Sequence, residues 1–265
     1  MIRIAGRAVM YAEIWHGETR SDISGADIVC YRRMNVPIAG SRYARSLSLT
    51  SDLSQEQGAI AARLSNTCRY QIRRAESKDR LSFEYIPEPA ARLDEFCAFY
   101  DAFALQKSIP PAPRDWLAAA CEGGQLLLTA ASRDGDTLVW HAYIHFADTA
   151  LLQHSASCYR HRERDFCALV GRANRWLHWS DMLRFKRLGV KHYDWGGMFE
   201  DESVPERAGI NTFKRSFGGV PIHTYDCLVP VTVKGRIWLP LRAAWRGWKN
   251  PPPLAPLPPS SPPQA

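Results

Sequence analysis

Between Leu81 and Val233 the spacing of apolar residues changes in a fixed succession. Leu81–Pro87 (LSFEYIP) predicts a strand, whereas Ala90–Gln106 sets Leu93, Phe96, Cys97, Tyr100, Phe103 and Ala104 at helical spacing. A second helix is predicted after the PPAP break, over Arg114–Cys121. Three strands follow in close succession, Gln125–Ala131, Thr137–Phe146 and Ala150–Ser157, with Asp134-Gly135 and Ala147-Asp148 marking tight hairpin turns. Asp165–Leu188 predicts a long helix, with an Asp cap and Gly189 as its stop signal. VKHYDW then predicts a strand, Pro205–Ser216 a short helix and Val220–Val233 a closing strand region. The order is β-α-α-β-β-β-α-β-α-β.

The flanks read differently. Residues 1–50 alternate strand-like runs, Ala8–Trp15, Ala26–Met34 and Arg45–Leu49, with turn residues. Ser51–Ser77 reads as one helical region, with Ser54 and Gln57 in the form of a capping box at its start. At the other end, Gly235–Asn250 interleaves Trp238, Trp245 and Trp248 with basic residues, and Pro251–Ala265 is a proline-rich tail expected to be disordered or polyproline-like. Pro240 argues against one clean helix through the Trp segment. The division expected is an N-terminal extension over 1–80, the main domain over 81–233, a basic Trp-rich segment over 234–250 and the tail over 251–265.

At 265 residues the chain is long enough for one large domain with attachments. No stretch approaches the roughly 18 consecutive apolar residues of a membrane span, and the first residues do not read as a signal peptide. A cytoplasmic location is expected, with peripheral association at the inner face of the membrane as an extension of it. The seven cysteines are scattered, with no CxxC pair, and read as reduced, mostly buried thiols. Of the net charge of +7, much is local: after Asp226 there is no acidic residue, while Lys234, Arg236, Arg242, Arg246 and Lys249 follow. That cationic, aromatic segment suits either an anionic membrane surface or packing back on the domain. No nucleic-acid partner is expected from charge so distributed.

Three segments carry chemistry. Tyr193–Gly197 reads YDWGG, Phe213–Gly219 reads FKRSFGG, and Asn66–Ser77 reads NTCRYQIRRAES, with Arg69, Ile72, Arg73 and Ala75 in R-x-x-I-R-x-A spacing. Paired glycines after Asp194 let the backbone bulge or approach a ligand without a Cβ clash. A carboxylate there is able to orient an acceptor amine or take its proton; a strand-end cap is the plain alternative. Lys214, between an aromatic and an arginine, suits stabilisation of an oxyanion or a phosphate, against an ordinary surface lysine. His154, beside Ser155 at a strand end, is a candidate general base or a structural histidine. His141 and His145 share a strand face, but no spacing elsewhere completes a metal site, so no metal is expected and both read as structural.

Together these segments resemble the FemAB-like branch of the GNAT acyltransferase superfamily, over about residues 45–230. The resemblance implies an α/β (α+β) fold: a GNAT-type domain with a mixed central sheet flanked by helices. It also implies that the fourth and fifth strands of that sheet part at their C-terminal ends to admit the acyl donor. Those ends are here Gln153–Cys158 and Asp194–Gly197. The implied activity is transfer of an acyl group to an amine, with Asp194, Lys214 and His154 as catalytic candidates. Ser155, Arg160, Arg162, Trp195, Gly196, Gly197, Phe213, Arg69 and Arg73 are the donor- or substrate-binding candidates.

The sequence departs from acetyl-CoA-dependent GNATs where a glycine-rich pyrophosphate loop is expected: it reads CYRHRERD, with Arg160, His161, Arg162 and Arg164 offering charge beside a helix N-terminus instead. The expected donor is an acyl-CoA or acyl-carrier-protein thioester, and the expected acceptor an amine on a small molecule or glycan precursor of the cell envelope. FemAB-like members of known role use aminoacyl-tRNA. Typical members hold two GNAT units and a coiled-coil arm, and the length of this chain favours one unit without the arm. An aminoacyl-tRNA-dependent transferase and a catalytically degenerate binding module are the two alternatives.

Overall fold

Asp134 and Gly135 both take positive φ, 53° and 92°, the left-handed pair that a two-residue hairpin requires. This turn and the one at Ala147 join three strands into an antiparallel meander: β6 (Leu126–Arg133), β7 (Asp136–Phe146) and β8 (Thr149–Ser157). The computed structural model describes residues 1–6, 8–15, 23–158 and 163–245. In chain order its other strands are β1 (Ile2–Ala5), β2 (Met10–Trp15), β3 (Ile28–Met34), β4 (Arg42–Asp52), β5 (Leu81–Ile86), β9 (His192–Met198) and β10 (Val220–Pro230). The helices are α1 (Gln57–Arg63), α2 (Asn66–Lys78), α3 (Pro89–Lys107), α4 (Arg114–Glu122), α5 (Arg164–Arg187), α6 (Pro205–Arg215) and α7 (Val233–Trp245).

All ten strands among the described residues form one mixed sheet in the order β1-β2-β3-β10-β4-β9-β8-β7-β6-β5, parallel at β2/β3 and β8/β9 and antiparallel elsewhere. β4 lies between β10 and β9, so strands from both sides of residue 80 alternate within the same sheet. Alternation along β7 assigns its faces. Trp140, Ala142, Ile144 and Phe146 pack with Phe96, Cys97 and Leu117 of α3 and α4, while Tyr143 packs with Phe185 of α5, Tyr193 and Trp195.

Most predicted elements are present, with differences at the punctuation. Ser51–Ser77 is not one helix: Ser51 and Asp52 complete β4, and the rest breaks at Leu64, whose ψ is 140°. Ser65 restarts the helix by accepting the Cys68 N–H at 3.2 Å. The capping box expected at Ser54 does not form. Ser54 donates to Asp52 at 2.6 Å, a shorter-range turn that competes with capping, and α1 begins after Glu56. Asp165 lies inside the first turn of α5, with Glu163 at the cap position and no side-chain cap bond, whereas Gly189 (φ 85°) ends the helix as expected. β1 was not expected, and α7 passes through Pro240. The proline is exposed, so the Arg236 carbonyl deprived of its helix partner meets water.

No disulfide forms among the described residues, and Cys30, Cys68, Cys97 and Cys227 are buried. No helix among the described residues is long and apolar enough to cross a membrane. The disordered tail expected over 251–265 lies outside the described residues.

Candidate active site

Parallel pairing between β8 and β9 is brief. It joins Thr149, Ala150 and Leu151 to His192, Tyr193 and Asp194 and goes no further. Two local irregularities coincide at its end. β8 bulges at Gln153, where Ala142 faces His154 and Tyr143 faces Leu152. β9 carries one residue more than β4 between Asp194 and Gly197, which face Thr50 and Ser48. Gly196 takes the left-handed φ of 72° there, and a Cβ on it would stand 2.9 Å from the Leu152 carbonyl oxygen. Beyond Leu151 and Asp194 no further residues of the two strands pair.

Asp194 is buried where that pairing ends. Its Oδ1 accepts the Gly196 N–H at 2.8 Å and the Ser48 hydroxyl, and Ser48 Oγ also lies 2.8 Å from the Gly196 carbonyl oxygen. The Arg33 guanidinium stands 3.8 Å from the same oxygen and donates to Thr224 Oγ1 at 3.1 Å. Arg33 itself has a φ of 57°, a strained conformation for a residue with a Cβ, and its N–H donates to Asp226 at 3.0 Å. The carboxylate thus has backbone, hydroxyl and guanidinium partners from three strands.

Lys214, on α6, donates to the Gly197 carbonyl at 2.6 Å. Burial lowers its pKa to about 8; the Asp194 carboxylate opposes that shift and the Arg33 charge adds to it. Asp194, Arg33 and Lys214 therefore form one electrostatic group in which cations outnumber the carboxylate. The glycines of FKRSFGG hold α6 in place: a Cβ on Gly218 would stand 2.5 Å from Arg63, and Phe217 is buried in the core.

The remaining sequence candidates fall into four groups. His154 is half-buried on the opposite face of β8 from Leu152, its ring centroid 4.8 Å from that of Tyr100. Burial lowers its pKa to about 4, and its Nε2 has no hydrogen-bond partner among the described residues. Ser155 faces His141 across the β7/β8 ladder. Trp195 is 1 % exposed and donates to Ser51 Oγ at 3.0 Å, so its indole belongs to the core beneath Asp194. Phe213 packs beside it with the Arg175 guanidinium 4.8 Å above its ring. Arg73 lines an open groove of about 480 Å³ with Tyr70, Arg74, Ser77 and Lys78; Arg69, one turn earlier, is bonded to Asn66. Arg160 and Arg162 lie outside the described residues.

Under this wall lies a buried network that sequence spacing did not suggest. Tyr193 OH is 2.7 Å from both Tyr143 OH and His178 Nδ1, and Tyr143 donates to Asp181 at 2.5 Å. His141 joins Asp181 through Nδ1 and Asn174 through Nε2, each at 2.8 Å. Burial pushes both tyrosines well up and His178 well down, so all three stay neutral. His141, His178 and Asp181 have potential metal-ligand atoms within 4.8 Å of one another. Their hydrogen bonds commit both nitrogens of His141 and Nδ1 of His178, and His145, which shares the β7 face with His141, is not in the set.

No protein-family model and no curated protein matches the sequence. Among solved structures the chain is similar to FemX, with a TM-score of 0.61 at 10 % identity, over 84 % of this chain and 82 % of FemX. The fold is that of FemX. It is shared with the C-terminal domain of a putative lysylphosphatidylglycerol synthetase from Agrobacterium fabrum, with a TM-score of 0.54 and 14 % identity over 83 % of this chain and 73 % of that one. L-PGS from Bacillus licheniformis gives 0.51 and 13 % over 82 % and 71 %.

The resemblance carried by YDWGG and FKRSFGG therefore holds at the level of fold. Coverage of 82 % of FemX also removes chain length as an argument for separating the two. Two residues of the wall, Arg33 and Ser48, escaped the sequence reading. Arg33 precedes Met34 in an ordinary strand run, and Ser48 is one of several serines in β4. Only the placement of β4 beside β9, with β10 and then β3 beyond it, brings them to Asp194.

Proposed function

We propose that the protein is an N-acyltransferase acting where β8 and β9 part. The observation that carries this reading is the placement of Asp194 and Lys214 together where the β8/β9 pairing ends, with Gly196 leaving its backbone close to the Leu152 carbonyl. The acceptor amine approaches the Asp194 carboxylate, which orients it and takes its proton. The amine nitrogen attacks the carbonyl carbon of a thioester, and negative charge collects on the carbonyl oxygen beside the Lys214 ammonium. The C–S bond then breaks and the thiolate takes up the proton that the nitrogen has lost.

His154 packs against Phe96 and Tyr100 of α3 and is poorly suited to act as a base. A base works best with a pKa near the working pH, and burial holds His154 at about 4. The coincident bulges of β8 and β9 favour an enzyme over a degenerate binding module, which has no use for a parted pair of strands. The acceptor we propose is an amine on an amino sugar or other cell-envelope precursor, and the donor an acyl-CoA or acyl-carrier-protein thioester.

A second donor is supported by a specific pair of observations. Coverage of most of FemX and the basic groove along α2 both fit an aminoacyl ester carried on tRNA, the donor that the FemAB-like resemblance implies. Single-turnover assays with acyl-CoA, acyl-carrier protein and charged tRNA distinguish the three donors. Transfer from a thioester that Lys214→Ala abolishes supports the first reading; transfer from tRNA alone replaces it with the second. Unchanged transfer by both Lys214→Ala and Asp194→Ala removes the site assignment.

A further inference from the structure

The helix that closes the described chain is tied down along one side and bare along the other. On its inner side Gly235 lies so close to the chain that a Cβ would stand 2.1 Å from the Asp27 carbonyl oxygen, and Leu239 is buried against Val9, Ile28 and Cys30. Trp238 donates to Tyr11 OH at 3.1 Å. At the start of α7, Thr232 Oγ1 accepts the Gly235 N–H at 3.0 Å and donates to Asp27 at 2.7 Å. These contacts answer one alternative left open by the sequence: Trp238 packs back on the domain. They also fix which side of the helix is left over.

Val233, Ile237 and Leu241 form that outer side. They recur every four residues and are 73 %, 58 % and 56 % exposed. An apolar row at this spacing on a helix surface is costly in water and signals a covering partner. Lys234 and Arg236 flank it, both exposed. The charge of the whole segment has one sign: no acidic residue follows Asp226, and Arg242, Arg246 and Lys249 come next in the sequence.

We propose that α7 lays the Val233, Ile237 and Leu241 row on an anionic lipid surface, with Arg236 among the headgroups and Lys234 held at the rim by its 3.5 Å contact to Asp27. Apolar side chains inserted at the acyl boundary and flanked by cations are the makings of an interfacial helix. A second copy fits poorly, because a symmetric pairing through this row opposes two cationic flanks. The proline-rich segment at the end of the chain also lacks acidic residues to pair with them. The proposal is independent of the acyl-transfer reading.

Co-sedimentation of the full chain with lipid vesicles tests it. Binding is expected to vesicles containing phosphatidylglycerol and not to pure phosphatidylcholine, and to weaken as salt is raised. Ile237→Glu with Leu241→Glu should reduce the partition coefficient about tenfold or more by placing carboxylates against the acyl boundary. Both side chains are exposed, so thermal melting should match the parent; Val233→Ser with Ile237→Ser provides an uncharged second variant. Failure to pellet with phosphatidylglycerol vesicles overturns the proposal, as does binding that neither variant weakens. A dimer dissolved by these substitutions in the absence of vesicle binding assigns the row to a second copy and overturns it as well.

Discussion

The Lys214 ammonium donates to the carbonyl oxygen of Gly197 at 2.6 Å, so a cation from the second motif is fastened to the glycine pair of the first. YDWGG and FKRSFGG meet as one wall. The carbonyl holds the ammonium in place without neutralising it, and the opposed effects of Asp194 and Arg33 leave burial in control of its pKa.

That balance makes activity depend on pH from the alkaline side. The protonated fraction of Lys214 falls as pH rises through about 8, and transfer should fall with it. Lys214→Arg should keep its charge and move this limb to higher pH. Lys214→Ala should lose on the order of 10²–10³ in kcat, the range observed when one oxyanion donor is removed. A pH–rate profile of the three proteins, taken with saturating donor, checks both points.

Asp194→Asn retains an oxygen able to accept from Gly196 and Ser48, so the wall should remain folded while the proton acceptor is lost. The expected cost is about 10²–10⁴ in kcat. Ser48→Ala should cost less, because it only loosens the carboxylate, and should act on kcat without shifting the alkaline limb set by Lys214. Steady-state kinetics beside thermal melting separates a chemical loss from an unfolded protein.

Gly196→Ala should be damaging in two ways. A Cβ at φ 72° is strained, and it would sit 2.9 Å from a main-chain oxygen of β8 that cannot swing away. A loss of about 1–3 kcal/mol is expected, together with reduced transfer as the strands shift. Gly197→Ala, with open space within 4 Å and no positive φ, is the control and should melt near the parent.

Tyr193→Phe removes one hydroxyl that serves two buried groups, Tyr143 and His178. Leaving buried polar atoms without partners should lower stability by about 1–3 kcal/mol, read as a lower denaturation midpoint. Tyr143→Phe strips a partner from both Tyr193 and Asp181 and should cost a similar amount.

What the sequence discloses follows the reach of each signal. Hairpin turns at Asp134-Gly135, the stop at Gly189 and the helical rows of α3 are local, and local chemistry settles them. Asp194 and Lys214 stand out in the sequence because a short motif carries each. Ser48 is not, since the hydrogen bond that gives it meaning spans 146 residues. The break at Leu64 was hidden for a related reason: Ser65 N–H donates to the Ser216 carbonyl at 2.8 Å, a distant partner that rewards interrupting an otherwise continuous helical pattern. Trp195 shows the reverse case, a residue inside a motif that serves the core.

The insertion of β4 between β9 and β10 sets the order in which the protein is able to assemble. During synthesis β4 leaves the ribosome well before either neighbour exists, and its main-chain groups wait in water or with a chaperone until residues near 190 and then 220 appear. Loop closure over such separations is slow. Asp194 gains its Ser48 partner only in these last steps, so the wall around it is completed together with the sheet.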